Sequence, residues 1–292
     1  MAQPAERPGG LTNLQKRILS AAVLLPVTVA AIMLGHPYFM LLVAAFGAVM
    51  AWEWTRVVAH KPVSSIPSPI PTPSAPGWRS IAFFPIVTVV GAALNTGFGG
   101  SPAHVGAGVL VGVVLTWVVA RVANRPKAGW FAIGVIYVAA PAAALVAIRK
   151  ETDFGLAALI WIIALVVAAD TGGYLVGRTV GGPKLAPRIS PNKTWSGLGG
   201  AVAGAALVGL STAFVLNHTN VWMLTLLSAG LGLIEQAGDL AESAFKRHFG
   251  VKDTSRIIPG HGGVLDRVDG LLAVAVAVWI TNKVAGGSVL AW

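Results

Sequence analysis

The chain contains no cysteine and few charged residues. Among its 292 residues, 11% are charged and 55% are hydrophobic, whereas a soluble domain carries about a quarter charged residues. The absence of cysteine excludes disulfides and thiolate metal sites. The alternating segments of about ten residues that a transmembrane β-barrel needs are also missing. Long apolar runs such as 156–169 indicate an all-α, polytopic integral membrane protein.

Nine apolar segments are long enough to cross a bilayer. We predict spans at roughly 17–35, 37–56, 80–96, 104–122, 129–148, 154–176, 195–216, 220–237 and 268–284. The first follows Lys16 and Arg17 and is longer than the apolar region of a signal peptide, so we expect it to be retained. Pro85 and Pro141 fall inside spans, where neighbouring helices can satisfy the carbonyls that proline leaves free.

The basic residues are divided unevenly between the two sides of these spans. With a cytoplasmic N-terminus, 18 of the 21 fall inside and only Arg149, Lys150 and Lys283 fall outside. This bias obeys the positive-inside rule, which supports the number of spans and the orientation. The net charge of +10 could also indicate nucleic-acid binding. Cytoplasmic loops facing anionic lipid explain it better, and we expect no nucleic-acid partner.

The chain divides into two parts by composition. Residues 1–150 are predicted to be N-terminal transmembrane helices with a cytoplasmic loop over 60–79, where six prolines favour an extended linker. Residues 151–292 are predicted to be the catalytic transmembrane region, because seven of the eleven acidic residues lie at or after Asp170. Charges near a membrane are costly, so such a concentration is a candidate functional site.

The first acidic group in this region lies on one predicted helix face. Asp239, Glu242 and Ser243 are spaced i, i+3 and i+4. Ser243, Lys246 and Arg247 repeat that spacing, so an oxygen-rich patch runs into a cationic one. Carboxylates that bind divalent cations, beside cations that bind phosphate, indicate metal-assisted phosphoryl chemistry. Taken alone, the group would also fit an interfacial helix with ordinary ion pairs.

The second acidic group, Asp266 and Asp269, precedes the last span and follows a loop with three glycines within four residues. Such glycines permit a tight loop with positive φ beside a ligand. We predict Asp239 and Asp266 to be metal ligands, with Asp269 and Glu242 as further candidates. The dipole at a helix N-terminus could by itself account for Asp269. His261 is a weaker candidate ligand, because Mg²⁺ prefers oxygen.

Two further elements precede these groups. Lys193 and Thr194 open the seventh span, where amide donors and a cation make a plausible phosphate site. Lys184 and Arg188 lie in the same loop and either bind phosphate or serve topology alone. Asp170 follows fourteen apolar residues of the sixth span and is either functional or paired with a cation from a neighbouring helix.

Glu53, in the second span, occupies a position similar to that of Asp170. For Glu53 we favour a structural role.

Together these elements resemble the phosphatidate cytidylyltransferases, also called CDP-diacylglycerol synthases. Their signature runs Ser, two residues, Lys-Arg, four residues, Lys-Asp, then Pro-x-His-Gly-Gly-hydrophobic-x-Asp-Arg-hydrophobic-Asp. The chain matches it at twelve positions between Ser243 and Asp269. The segments 236–243, 170–174 and 190–197 also resemble the family. Ser196 departs from the pattern, since an acidic or amide residue is common there.

The resemblance implies transfer of a cytidylyl group from CTP to phosphatidic acid, giving CDP-diacylglycerol and pyrophosphate. It implies dependence on Mg²⁺, allows K⁺ as a second cation, and suggests a homodimer. Asp239 and Asp266 correspond to the family's cation-binding positions. We expect a multi-pass protein of a bacterial inner (plasma) membrane with its site on the cytoplasmic side. The predicted catalytic residues are Asp239, Asp266, Lys193, Lys246 and Arg247. The predicted phosphate-binding residues are Lys184, Arg188, Lys193, Thr194, Ser243, Lys246, Arg247 and Arg267.

Two other functions remain open at this point. A CTP-dependent kinase of a polyprenol or similar lipid alcohol has related chemistry but weaker motif agreement. A membrane transporter would explain Asp170 and Glu53, but it leaves the charged segment after Asp239 unexplained.

Overall fold

The structure is a computed structural model and describes residues 12–60, 70, 77–123, 126–151, 153–217 and 220–292. Within these ranges, nine helices are long and apolar enough to span a membrane. They are α1 (Asn13–Leu34), α2 (Tyr38–Val58), α3 (Trp78–Gly97), α4 (Pro102–Val122), α5 (Ala128–Lys150), α6 (Gly155–Thr179), α7 (Trp195–Leu216), α8 (Val221–His248) and α9 (Leu265–Ala285). The predicted all-α class with nine spans is confirmed. Most of the predicted proline-rich loop lies outside the described residues.

Helix α8 continues well beyond the span predicted for it. The apolar pattern ends near residue 237, whereas the helix extends through Asp239 to His248. Side chains one turn apart support the extension: Ser243 donates to Asp239 over 3.3 Å, and Lys246 lies 2.6 Å from Glu242. Pairs at this spacing stabilise a helix without apolar contacts. Hydrophobicity therefore marks the part of α8 that crosses the membrane, and not the whole helix.

Two apolar clusters form the interior of the bundle, and α8 and α9 contribute to both. The first contains residues from both sides of position 150, including Trp54 of α2 and Phe245 of α8, whose rings stack with centroids 3.8 Å apart. The second joins α6 and α7 to α8 and α9, with Trp161 fully buried among them. Close packing replaces the hydrophobic effect as the cohesive force inside a bilayer.

Glycines allow α6 and α7 to approach closely. A Cβ atom on Gly172 of α6 would overlap the carbonyl oxygen of Gly200 on α7. Five residues further along α6, a Cβ on Gly177 would lie 3.0 Å from the Thr194 hydroxyl, at the start of α7. Small residues at such contacts let two backbones meet in a membrane. This contact brings the end of α6 against the segment that carries Lys193.

A short antiparallel hairpin connects α6 to α7, an element that the sequence analysis did not predict. Strands β1 (Lys184–Ala186) and β2 (Ser190–Thr194) pair so that Lys184 lies opposite Thr194. The amide of Trp195 donates to the carbonyl of Pro183 over 3.1 Å and closes the hairpin onto α7. The hairpin therefore places Lys184 across from the residue that follows Lys193.

The glycine contact can be tested by adding one methyl group. We expect Gly172→Ala to lower the free energy of unfolding by about 1–3 kcal/mol because the methyl group overpacks the α6–α7 contact, despite alanine's better helix propensity. Gly199→Ala, on α7, is the matched control, since a Cβ there meets no atom within 4 Å. Thermal unfolding of the purified variants in detergent measures the difference. Equal unfolding temperatures would contradict the close packing.

Candidate active site

A cavity of about 470 Å³ lies between α6, α7, α8 and the hairpin. Five residues that the sequence analysis selected line it, from three separate segments of the chain: Asp170, Lys184, Lys193, Thr194 and Asp239. The other polar or cationic side chains in its wall are Tyr174, Arg178, Asn192 and Gln236. The fold therefore brings three of the four sequence elements together around one space.

Lys193 is the cation of this cavity that forms an ion pair. Its ammonium group lies 2.7 Å from Oδ2 of Asp239 and donates to Oε1 of Gln236 over 2.6 Å. The Gln236 amide donates in turn to Glu235 over 2.8 Å. The side chains of Lys193 and Asp239 are 17% and 27% exposed, so both remain reachable from the cavity. Hairpin and helix are thus joined by an ion pair that a ligand can contact.

Four carboxyl groups lie close together around Lys193. Asp170 of α6 lies within electrostatic range of Glu235 and Asp239. Asp269 of α9 lies within range of Asp239 and Asp170, and accepts a hydrogen bond from the following amide over 2.9 Å. Carboxyl groups this close together in apolar surroundings are unfavourable unless cations offset their charge. The donor set therefore suits a divalent cation.

The same carboxylates fit Mg²⁺ in chemistry and in number. Among the described residues, no three histidine or acidic side chains already form a complete metal site. Mg²⁺ keeps several waters and is usually held by one or two protein carboxylates together with substrate phosphates. Asp239, which opens onto the cavity, and its neighbour Asp269 meet that requirement.

A second, closed cluster is organised by Lys246. Its ammonium group lies 2.6 Å from Glu242 and 2.9 Å from Asp266, whose side chains are 0% and 2% exposed. Asp266 also accepts hydrogen bonds of 2.9–3.0 Å from the amide and hydroxyl of Thr254 and from the amide of Gly263. Asp266 therefore anchors the loop before α9. Its role as a metal ligand stays a prediction.

Glu53 of α2 fixes the start of α9 from the other side. It is fully buried and accepts hydrogen bonds from the Ser255 hydroxyl at 2.5 Å and from the amides of Val264 and Leu265 at 3.0 and 2.8 Å. A carboxylate at a helix N-terminus satisfies amides that have no partner within the helix. These contacts agree with the structural role predicted for Glu53.

The glycine-rich loop has the geometry expected of it. Gly260 and Gly262 have φ of 78° and 98°, which side chains other than glycine rarely adopt. His261 does not point to the carboxylates, since its Nδ1 lies 2.9 Å from the hydroxyl of Ser20 on α1. Arg17, one turn earlier, donates to the carbonyl of Gly260 over 2.8 Å. His261 thus connects the loop to the first helix.

The remaining predicted phosphate-binding residues divide into exposed and structural ones. Lys184 and Arg267 are exposed, and Arg188 is exposed in the turn of the hairpin without lining the cavity. Arg247 donates to the carbonyl of Val251 over 2.9 Å and braces the loop. Thr194 is buried and accepts from the amide of Gly197 over 3.1 Å, so its hydroxyl caps α7.

Ser196, where the chain departs from the family pattern, takes part in the same cap. Its hydroxyl is hydrogen-bonded to the Thr194 hydroxyl over 3.0 Å and also donates to the carbonyl of Gly181. The serine therefore supports the turn into the hairpin.

Sequence reasoning missed two contributors to the cavity. Arg178 entered the prediction only as one of the basic residues on the cytoplasmic side. It follows Asp170 and Tyr174 at successive intervals of four residues, and it donates to the Tyr174 hydroxyl over 2.5 Å. That spacing could have identified it. Gln236 received no role of its own. Its partner Lys193 lies 43 residues away in the chain, so no local pattern points to the contact.

Fold and site together define a helical membrane protein with a lysine–carboxylate cavity at one end of the bundle. A sequence model described as the cytidylyltransferase family matches residues 15–285. The phosphatidate cytidylyltransferase of Brucella suis is 38% identical over 276 residues, covering 94% of this chain and 95% of the relative. That of Haemophilus influenzae is 32% identical over 295 residues, covering 89% and 95%. The chain belongs to the cytidylyltransferase family, which confirms the resemblance.

Similarity is higher over a shorter stretch of another relative. The phosphatidate cytidylyltransferase of Staphylococcus epidermidis is 49% identical over 121 residues, covering 41% of this chain and 46% of the relative.

The cap at α9 can be tested through Glu53. We expect Glu53→Ala to lower the free energy of unfolding by at least about 2 kcal/mol, because three buried donors lose their acceptor. Activity should fall with it, since α9 carries Asp266 in its first turn and Asp269 just after that turn. Glu53→Gln keeps an acceptor oxygen and should lose less. Thermal unfolding in detergent provides the measurement. An unchanged unfolding temperature for Glu53→Ala would show that the cap is dispensable.

Proposed function

We propose that this protein transfers the cytidylyl group of CTP to phosphatidic acid, giving CDP-diacylglycerol and pyrophosphate. The observation that carries the proposal is the cavity in which Lys193 of the hairpin meets Asp239 of α8. Both residues lie within the range that matches the cytidylyltransferase family. Relatives aligned over almost the whole chain bear the name phosphatidate cytidylyltransferase.

The reaction joins two anions. A phosphate oxygen of phosphatidic acid attacks the α-phosphorus of CTP and forms a new P–O bond. The bond from the α-phosphorus to the bridging oxygen of the β-phosphate breaks, and pyrophosphate leaves with the electron pair. Because the attacking phosphate is already ionised at neutral pH, no general base is needed. The main barrier is therefore electrostatic repulsion between the reactants.

The cavity supplies fixed positive charge against that repulsion. Arg178, Lys184 and Lys193 line it. Preorganised cations in a site of low dielectric constant stabilise developing negative charge more than they would in water. Lys193 is held in place by Asp239 and Gln236, so it needs little reorganisation when phosphate arrives. Arg267 is exposed at the start of α9 and adds a fourth cation within electrostatic range of Asp170.

Asp239 and Asp269 are the carboxylates that would hold Mg²⁺ at the cavity. The sequence predicts Asp239 and Asp266 as ligands, with Asp269 and Glu242 as further candidates, and the roles of Asp266 and Glu242 stay predictions. Bound Mg²⁺ would neutralise phosphate charge and stabilise the departing pyrophosphate. K⁺ remains a candidate second cation. In this chain, Lys246 keeps Glu242 and Asp266 together, and Asp266 holds Thr254 and Gly263, so the closed cluster positions the loop beside the site.

The membrane location suits a lipid substrate. Tyr174 lines the cavity and is 61% exposed, and Trp195, at the start of α7, is 59% exposed. Such aromatic side chains favour the interface between headgroups and hydrocarbon. A phosphatidic acid phosphate could enter here while its acyl chains stay in the bilayer.

We place this end of the bundle in the cytoplasm, at the inner membrane of a bacterium. Arg17, near the N-terminus, contacts the loop beside the site, so both lie at the same end. That end carries most of the basic residues, as the positive-inside rule requires of the cytoplasmic side. A homodimer stays a prediction.

Radiolabelled CTP tests the reaction directly. We expect purified protein with phosphatidic acid and Mg²⁺ to place an α-phosphorus label in the lipid fraction and to leave a γ-phosphorus label in pyrophosphate. Thin-layer chromatography separates the products. Transfer of the γ-label to a lipid alcohol would identify a kinase instead. EDTA should abolish the product and excess Mg²⁺ should restore it; unchanged activity in EDTA would exclude the proposed metal.

Asp239→Asn tests the cavity without disturbing the closed cluster. We expect turnover to fall by about 100-fold or more, because the substitution weakens a metal ligand and the pairing of Lys193. The unfolding temperature should change little, since Asp239 is partly exposed. Asp153→Asn is the matched control, as Asp153 is exposed at the other end of α6. Near-normal turnover of Asp239→Asn at saturating Mg²⁺ would overturn the assignment.

A further inference from the structure

A second cavity, of about 390 Å³, lies between α4, α5 and α9 at the end of the bundle opposite the candidate active site. Two lysines line it: Lys150, the last residue of α5, and Lys283, in the last turn of α9. Because Asp266 lies in the first turn of α9, Lys283 is at the opposite end of that helix. Small residues form most of the remaining wall: Gly99, Gly100, Gly106, Ala140, Ala143, Ala144 and Ala147. The cavity thus combines an apolar body with two ammonium groups.

The two lysines make up most of the positive charge that the sequence predicts for this end of the protein. The third basic residue predicted at this end of the protein is Arg149, which donates to the carbonyls of Ile32 and Met33 and so caps α1. Lys150 donates to the carbonyl of Thr96 over 3.1 Å, and both lysines are exposed. Among the described residues, neither lysine forms an ion pair. Their charge is therefore available to an anion.

In the described part of the chain, no carboxylate forms an ion pair with either lysine. The carboxylate of Glu151, which follows Lys150 in the chain, keeps its charge and accepts from the amide of Asn282 over 3.1 Å. Two ammonium groups at the level of the headgroups attract the phosphate of an anionic lipid. Alanine and glycine walls below that pair offer water few hydrogen bonds, so hydrocarbon is the better filling.

We propose that this cavity binds one anionic phospholipid, in the leaflet opposite the active site. One acyl chain lies against the alanines of α5 and the glycines before and within α4, and the headgroup phosphate lies at Lys150 and Lys283. The bound lipid fills the space between α4, α5 and α9. A symmetric contact with a second copy of the chain is less favourable here, because a two-fold axis would bring the two lysine pairs together.

Lipid binding can be measured on the delipidated full-length protein by native mass spectrometry. We expect phosphatidylglycerol to be retained in preference to phosphatidylcholine with the same acyl chains. The double variant Lys150→Gln with Lys283→Gln should bind phosphatidylglycerol about tenfold more weakly, because both headgroup cations are gone. Arg121→Gln is the charge control, since Arg121 is in the last turn of α4, at the other end of the bundle.

A steric pair of variants tests the acyl-chain part of the site. Gly106 lines the cavity, and a Cβ there meets no atom within 4 Å, so Gly106→Leu should fill the space and reduce retention as strongly as the lysine variant. Gly108 lies on the same helix and is equally open, but it lines a different groove between α3 and α4. Gly108→Leu should leave retention unchanged.

Three outcomes would overturn the lipid site. The first is equal retention of both lipids, and the second is normal retention by the lysine variant and by Gly106→Leu. The third is a shift from dimer to monomer in these variants with lipid retention unchanged, which would make this face a contact between copies of the chain. Because the measurement is lipid retention, a failure here is distinct from a failure of cytidylyl transfer.

Discussion

Two lysines hold the polar groups of this membrane protein together. Lys193 joins the hairpin to α8 through Asp239, and Lys246 joins α8 to the start of α9 through Asp266. A carboxylate in apolar surroundings is costly unless a cation or several donors face it. Each lysine therefore compensates acidic side chains that could not lie this close together alone. The two ion pairs differ in access: the first opens onto a cavity and the second is closed.

Because of that difference, the open pair serves the reaction and the closed pair stabilises the structure around it. The open pair presents a cation and a carboxylate to a ligand, which is the arrangement that phosphoryl transfer with a metal requires. The closed pair fixes a loop whose glycines adopt conformations unsuited to other residues. Glu53 completes the support from α2, in the half of the chain without the family signature. The site thus depends on helices from both halves.

Several features were predictable because the pattern of neighbouring residues in the sequence indicates them. Nine apolar runs predicted nine helices, since a bilayer demands about twenty apolar residues per span. The spacing of Asp239, Glu242 and Ser243 correctly placed them on a helix beyond the apolar run. Other features had no local signal. The hairpin is too short to show alternation, and the contact of His261 with Ser20 joins residues far apart in the chain.

The amino-acid sequence by itself determined the all-α membrane class, the number of spans and the chemistry of the site, because hydrophobic length, charge distribution and a twelve-position signature are properties of consecutive residues. Only the tertiary structure decided which carboxylate each lysine compensates. The resemblance gives Asp239 and Asp266 the same cation-binding role, yet one faces a cavity and the other is surrounded by four donor groups. Burial and hydrogen bonding arise from packing between helices, and packing is not a property of any one segment.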